Sequence, residues 1–393
     1  MTHSTDRILT THVGSLVRPP ELVGLLRARE DGEAVDDQTF AECLRRSVAE
    51  VVRQQADAGI DIVSDGEFGK SVSWSRYILE RLDGFEDRPD PNRKDSDPHR
   101  MLGPRRDTEE FPEFYAEYDR TQGFSGAMRN CICVGPIRYA GQAELARDID
   151  NLTAAVGGLP VSGFLPVVAP ASVAYQRKDE HYESEEAYVY AIADALKSEY
   201  TAIIDAGLTL QVDDAHLPMM HDQMIPPASH EDWVRWARLR VDALNHALEG
   251  LPEDRTRYHI CWGSFNSPHV GDVPFRDIAD LVLGVRVGAY AIEMANPRHE
   301  HEWRVWEDLD LPEDKVLIPG VISHVTNVVE HPELVCERVV RLARLVGRER
   351  VIAGTDCGFA QGPFVRRVHP SIMWAKLRSL VEGAALASQQ LWT

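Results

Sequence analysis

His259 and Cys261 stand two residues apart in Tyr258-His259-Ile260-Cys261-Trp262-Gly263, at the end of what reads as a short apolar strand. Side chains i and i+2 of a strand project to the same side, so this imidazole and this thiol are placed to bind one metal ion together. Two further strand-like segments end in groups that zinc accepts: Glu293 in Tyr290-Ala291-Ile292-Glu293-Met294-Ala295-Asn296, and Cys357 in Ile352-Ala353-Gly354-Thr355-Asp356-Cys357-Gly358. A structural zinc site usually draws on closely spaced cysteine pairs within one small module. Ligands scattered over separate strand ends suit catalysis. Two thiolates and a carboxylate carry more negative charge than a divalent ion cancels, so Zn2+ held by His259, Cys261, Glu293 and Cys357 would activate water poorly. It would hold a substrate thiol as thiolate, because zinc lowers the thiol pKa while the electron-rich ligands leave the sulfur nucleophilic. Glu293 is the most exchangeable of the four and is expected to yield to an incoming sulfur. The predicted chemistry is alkyl transfer from an alkyl donor to a small-molecule thiol.

Only a fold that gathers several strand ends can assemble these ligands. The opening segment Arg7-Ile8-Leu9-Thr10-Thr11-His12-Val13-Gly14-Ser15-Leu16 looks like a first strand running into a Gly-Ser turn. From Asp37 the apolar residues Phe40, Leu44, Val48, Val51 and Val52 recur at helical spacing, and Gly59 supplies a left-handed stop. The strand Ile60-Asp61-Ile62-Val63-Ser64 then ends in Asp65-Gly66-Glu67-Phe68. The same order returns with a helix over about 184–205 before the strand ending in Asp213-Asp214, and again after Pro332. Such alternation implies a parallel sheet. Strands near 8–13, 60–64, 161–169, 208–213, 257–262, 289–294, 315–321 and 350–355 make the chain a single α/β domain over 1–393, a (β/α)8 TIM barrel. The polar segment at about 84–128 is expected to be a surface insertion at the barrel mouth, and Cys131-Ile132-Cys133-Val134 a hairpin strand beside the barrel.

In such a barrel the C-terminal strand ends converge on the active-site face. Glu67 is a candidate there for a substrate amine or protonated heterocycle, the plain alternative being a carboxylate that caps the next helix. Asp213 and Asp214 are adjacent and point to opposite sides. Asp213 is assigned to substrate binding, with Asp214 or His216 as a proton carrier. Gly14 and Ser15 offer backbone and hydroxyl donors to a carboxylate or sulfonate, against a plain turn. Cys131 and Cys133 lack the partner pattern of ligands, and Cys43 and Cys336 lie on helical patterns. The run His299-Glu300-His301-Glu302-Trp303 reads as the start of a helix over the mouth with one His, or Arg298, facing substrate, a second metal site being the alternative.

Composition bounds the partners. At 393 residues, 44% hydrophobic and 27% charged, the chain can bury a full core. A net charge of −21 argues against nucleic acid and anionic membrane, though not against a small anionic substrate, which needs only local cations. There is no apolar run of spanning length and no signal-peptide pattern, and 6 cysteines fit reduced thiols, so a cytoplasmic location is expected. A homo-oligomer stays open.

With these residues in view, the chain resembles the catalytic C-terminal domain of the cobalamin-independent methionine synthases in a short, single-barrel form. The resemblance runs from Thr11-His12-Val13-Gly14-Ser15 through Asp65-Gly66-Glu67-Phe68 and Gln211-Val212-Asp213 to His259-x-Cys261, Glu293 and Cys357. It implies a (β/α)8 fold, zinc on those last four residues, and substrate contacts from Ser15, Glu67 and Asp213. Departures are visible. Asp213-Asp214-Ala215-His216 stands where that family has Asp-Glu-Pro, and His324, in Ile322-Ser323-His324-Val325, is displaced by one position from the family's His-Ser-Pro turn, where it is the third catalytic candidate. The epoxyalkane:coenzyme M transferases, similar in length and zinc motif, imply the alternative of adding a thiol to an epoxide. Methyl transfer to homocysteine or a similar thiol is the first expectation, and a zinc-binding barrel without catalysis is the remaining alternative.

Overall fold

Each predicted strand forms in the computed structural model, which describes residues 3–71, 73–88, 105–122, 130–175 and 177–393. In chain order the strands are β1 (Leu9–Thr10), β2 (Ile62–Val63), β3 (Leu82–Arg88), β4 (Asn130–Tyr139), β5 (Ser162–Val168), β6 (Lys178–Asp179), β7 (Thr209–Asp213), β8 (Thr256–Ile260), β9 (Ala289–Ile292), β10 (Val316–Ile322), β11 (Ile352–Thr355), β12 (Ala360–Gly362) and β13 (Val365–Arg366). Eight of them form one parallel sheet in the order β1-β11-β10-β9-β8-β7-β5-β2. A parallel bridge between Thr11 and Ile62 joins its two ends into a barrel.

Strand periodicity fills the interior. Ile62, Phe164, Ala289, Ala291, Val316, Ile318 and Ile352 form a separate apolar cluster, contributed by alternate positions of the strands as barrel layers require. Above it lies a polar layer. Arg257 is 1% exposed and spans the barrel to Gln211 Oε1 at 2.6 Å, Thr11 Oγ1 at 3.0 Å and the His12 carbonyl at 2.8 Å, with its guanidinium 3.5 Å from the Phe164 ring centroid. Two residues further along the same strand comes His259, so this layer is the floor beneath the predicted ligands.

Helices cover the outside because their apolar positions repeat on one face. Asp37–Asp57 buries Phe40, Leu44, Val48, Val51 and Val52, and Gly59 follows at φ 89° as the left-handed stop. Glu185–Asp205 begins where the Ser184 hydroxyl accepts from the Ala187 N–H at 3.1 Å. Ser184→Ala is expected to lower the unfolding free energy by about 1 kcal/mol, measured as a fall in the urea midpoint at constant slope.

β3 pairs antiparallel with β4, whose other edge carries β6 in parallel, so the strand around Cys131 and Cys133 forms its hairpin beside the barrel. The polar segment at 84–128 contains the helices Arg105–Glu110 and Pro112–Gln122, and its residues 89–104 and 123–128 lie outside the described residues. Its polar side chains dock it to the barrel mouth. Asp107, 0% exposed, accepts from the N–H of His269 and of Val270, each at 2.7 Å, and from Ser267 Oγ at 3.2 Å. Arg106 Nε donates to Asp222 Oδ1 at 3.1 Å. Among the described residues no helix is long and apolar enough to cross a membrane.

Candidate active site

In the strand register Asp213 lies beside His259 and His259 beside Ala291. The His259 ring is buried with Nδ1 3.1 Å from the Ala291 carbonyl, so the ring proton belongs on Nδ1 and the lone pair on Nε2. That Nε2 is buried without a hydrogen-bond partner among the described residues. Burial pushes the imidazole pKa down to about 3, which keeps it neutral. Cys261 and Cys357 converge on the same point with their sulfurs 3.7 Å apart, unlinked, and the ligating atoms of His259, Cys261 and Cys357 all lie within 4.8 Å of one another. The adjoining Cys357 thiol, then burial, push the Cys261 pKa well up. An orphaned imidazole nitrogen beside two touching thiols is a donor set that fits a soft divalent metal.

Glu293, the fourth predicted ligand, is turned into an adjoining cluster. Its Oε2 accepts from the Trp262 N–H at 3.2 Å and its Oε1 from Asn296 Nδ2 at 3.1 Å. Its carboxylate clusters with His324 and Asp356, whose ligating atoms and its own lie within 4.8 Å of one another. Asp356 Oδ1 accepts from the N–H groups of Met294 at 2.9 Å and Ala295 at 2.7 Å, which shapes the turn after β9. Burial, then the charge of Glu293, push the Asp356 carboxyl well up. His324 does not line the cavity described next. It reaches that cavity through Ser264, whose Oγ is 2.8 Å from Nε2.

Over His259, Cys261 and Cys357 lies a pocket, about 610 Å3 with the open solvent at its mouth included, whose lining includes Ser15, Glu67, Asp213, His259, Cys261 and Cys357. Glu67 sits at φ 60°, a conformation that strains any residue with a Cβ, and its carboxylate is 3.1 Å from Lys70 Nζ. Gly14, at φ 138°, makes the turn possible: a Cβ there would lie 2.8 Å from Pro166 Cγ and 3.1 Å from Glu67 Oε1. Asp213 accepts from Gln211 Nε2 at 2.7 Å, and burial, then the charge of Glu67, push its carboxyl well up. The Ser15 hydroxyl donates its proton to the Ala360 carbonyl.

Two predicted proton carriers are placed differently from their expected roles. Asp214 faces away from the cavity, as strand alternation requires, and accepts from Ser172 Oγ at 3.1 Å and the Tyr258 hydroxyl at 3.0 Å. Burial raises its pKa to about 6. His216 does line the cavity, stacked between Tyr175 at 3.9 Å and Trp74 at 5.4 Å between ring centroids. Burial, then the charge of Arg177, push it to about 3, so near neutral pH it has no acidic proton to give and serves as an aromatic wall.

The run at His299 forms a short 3-10 turn, Glu300–Arg304, ahead of the helix Val305–Asp308, and His299 faces inward to structure rather than substrate. It stacks on Trp262 at 3.9 Å and bonds Asp272 at 2.9 Å and Glu302 at 2.7 Å, while His269 bonds the same Asp272 at 2.8 Å. Burial alone would lower both imidazoles, but these carboxylates outweigh it and hold His299 at about 10 and His269 at about 9. Folded pKa values above the unfolded 6.5 mean that the folded state binds more protons. This part of the stability is therefore complete below pH 6.5 and is lost as pH rises through about 9 and 10. Melting temperature is expected to fall across that alkaline window, and His299→Gln is expected to flatten the fall.

Several lining residues carried no motif in the sequence, among them Trp74, Met219, Phe265 and Arg367. The tandem Arg366-Arg367 after a Gly-Pro turn was the one usable signal, since a hairpin alternates its faces.

No family model matches the chain. It is 24% identical over 381 residues to the uncharacterized protein YxjH of Bacillus subtilis strain 168, covering 94% of this chain and 92% of that protein. It is 24% identical over 387 residues to a methionine synthase of Thermococcus kodakarensis, covering 97% and 94%. Among solved structures, the B12-independent methionine synthase from Shewanella sp. W3-18-1 in complex with selenomethionine superposes with a TM-score of 0.71 at 19% identity, over 98% of this chain and 99% of that one.

Proposed function

We propose, from the premise that this chain belongs to the cobalamin-independent methionine synthase family, that it transfers a methyl group to the sulfur of homocysteine at a zinc site held by His259, Cys261 and Cys357. The observation that carries the reading is the orphaned Nε2 of His259 beside two touching thiols on the cavity floor. Glu293 completes the ligand set in this proposal. It is held on the Trp262 N–H and Asn296, and would exchange these bonds for the ion when it enters the ligand set. A zinc ion held by these residues would lower the pKa of a thiol brought to it and so supply a sulfur nucleophile.

The chain's own residues orient the acceptor. Glu67 and Asp213 both line the cavity and present it with two carboxyl groups that can meet the ammonium of an amino-acid thiol. Trp74, His216, Met219 and Phe265 form an apolar wall that keeps water from the reacting sulfur. His324 holds the Ser264 hydroxyl at the cavity edge.

Epoxide addition is not favoured by relatives that are named methionine synthase. The two proton carriers expected for an opening epoxide oxygen are not placed to serve it, since Asp214 is bonded behind the barrel wall and His216 is neutral. The test is zinc-loaded protein mixed with homocysteine, then with methyl-folate or methylcobalamin as donor. Zinc-dependent proton release on thiol addition and methionine formation are expected. Protein that takes up no zinc, or releases no proton when the thiol is added, overturns the reading.

A further inference from the structure

Past Cys357 the chain folds into the β12–β13 hairpin across Gly362-Pro363. The Arg367 N–H donates to the Phe359 carbonyl at 3.0 Å, which returns Arg367 to the strand end that carries Cys357. Its side chain lines the cavity. There Nε donates to Ser264 Oγ at 3.3 Å, the guanidinium carbon lies 5.8 Å from the Phe265 ring centroid, and Tyr118 of the helix Pro112–Gln122 is a further polar neighbour. Among the described residues no carboxylate pairs with it, in contrast to Lys70, which has Glu67. Burial pushes its pKa below the usual arginine range.

A half-buried guanidinium that opens into a cavity offers its planar fork of donors to a ligand there, and a carboxylate meets that fork with two parallel bonds. Ser15, the donor expected to serve an anion, has its hydroxyl proton engaged with Ala360. We propose that Arg367 is the anion-recognising residue of this cavity and binds a substrate carboxylate, that of the thiol or that of the methyl donor. The inference rests on the methyl-transfer reading. It gives the cavity two poles, carboxyls at Glu67 and Asp213 and a guanidinium at Arg367, both lining the same space as the Cys–His cluster. A zwitterionic amino-acid thiol matches them.

The experiment uses zinc-loaded wild type, Arg367→Gln and Arg367→Lys, with metal content and melting temperature measured for each. Calorimetry follows binding of homocysteine, of 3-aminopropane-1-thiol, which lacks the carboxylate, and of 4-sulfanylbutanoate, which lacks the ammonium. If the thiol brings the carboxylate, Arg367→Gln weakens homocysteine and 4-sulfanylbutanoate by about 10- to 100-fold, leaves 3-aminopropane-1-thiol unchanged, and Arg367→Lys recovers part of the loss. If the donor brings it, all three thiols bind as before and the donor's KM rises by a similar factor at constant kcat. Equal weakening of all three thiols, or no change in either thiol affinity or donor KM, overturns the proposal. Wild-type protein that binds no thiol sinks the methyl-transfer reading together with it, whereas normal wild-type binding with a silent Arg367→Gln sinks this inference alone.

Discussion

Cys357→Ser is expected to lose bound metal and methyl transfer together. Metal affinity should fall by more than about 100-fold, since even groups that only orient a ligand contribute 10- to 100-fold. The sulfur of Cys357 lies 3.7 Å from that of Cys261 and faces the orphaned nitrogen of His259. An ion shared by these atoms relieves two costs at once, the repulsion between neighbouring thiolates and the burial of an unpartnered imidazole nitrogen. A serine hydroxyl ionises far less readily than a thiol and keeps its proton, so it restores neither. Metal analysis of the purified variant, with a thiol methylation assay on the same preparation, checks the result. Cys336→Ser is the control. That thiol is buried on the helix Pro332–Val346, outside the cavity, and its variant should keep both metal and activity. A Cys357→Ser protein that retains both would remove the basis of the assignment.

The second large effect is expected at Glu67. Glu67→Gln should raise the homocysteine KM by about 100-fold, the size of a lost hydrogen bond to a charged group inside a cavity, and leave the affinity for 4-sulfanylbutanoate nearly unchanged. Two features single out this carboxylate. It is held at φ 60° at the expense of backbone strain, and it forms a buried ion pair with Lys70. Glutamine at this position also leaves Lys70 as an uncompensated buried charge, so the melting temperature should drop. Adding Lys70→Met to Glu67→Gln separates the two effects, because the double variant should regain stability while the KM defect persists. If KM recovers along with stability, Glu67 acts on the fold and not on the substrate ammonium.

Much of this arrangement was legible in residue order, for reasons that can be named. Eight strand-like segments separated by helical ones admit few architectures besides a closed parallel barrel, and each predicted strand occurs. The two-residue period of a strand put His259 and Cys261 on one side and separated Asp213 from Asp214. The same alternation showed that only one of those aspartates could face the cavity. The resemblance to the methionine synthases rests on these positions, and relatives named methionine synthase that align over 97% of the chain agree with it.

Tertiary structure decided which partner each polar group takes. Whether Glu293 turns to the cysteines or to Trp262 and Asn296 depends on the loop after β8, and whether Ser15 offers a proton depends on Ala360, 345 residues away. Asp107 fixes the expected mouth insertion in place through bonds to residues 162 and 163 positions distant, partners that composition alone does not name. Arg367 became a cavity residue only once the hairpin after Cys357 had closed. Sequence periodicity sets the face on which a side chain stands, because the backbone repeat is local. Which group it then meets is set by loops that bring distant positions within hydrogen-bond range, and a repeat pattern contains no record of that distance.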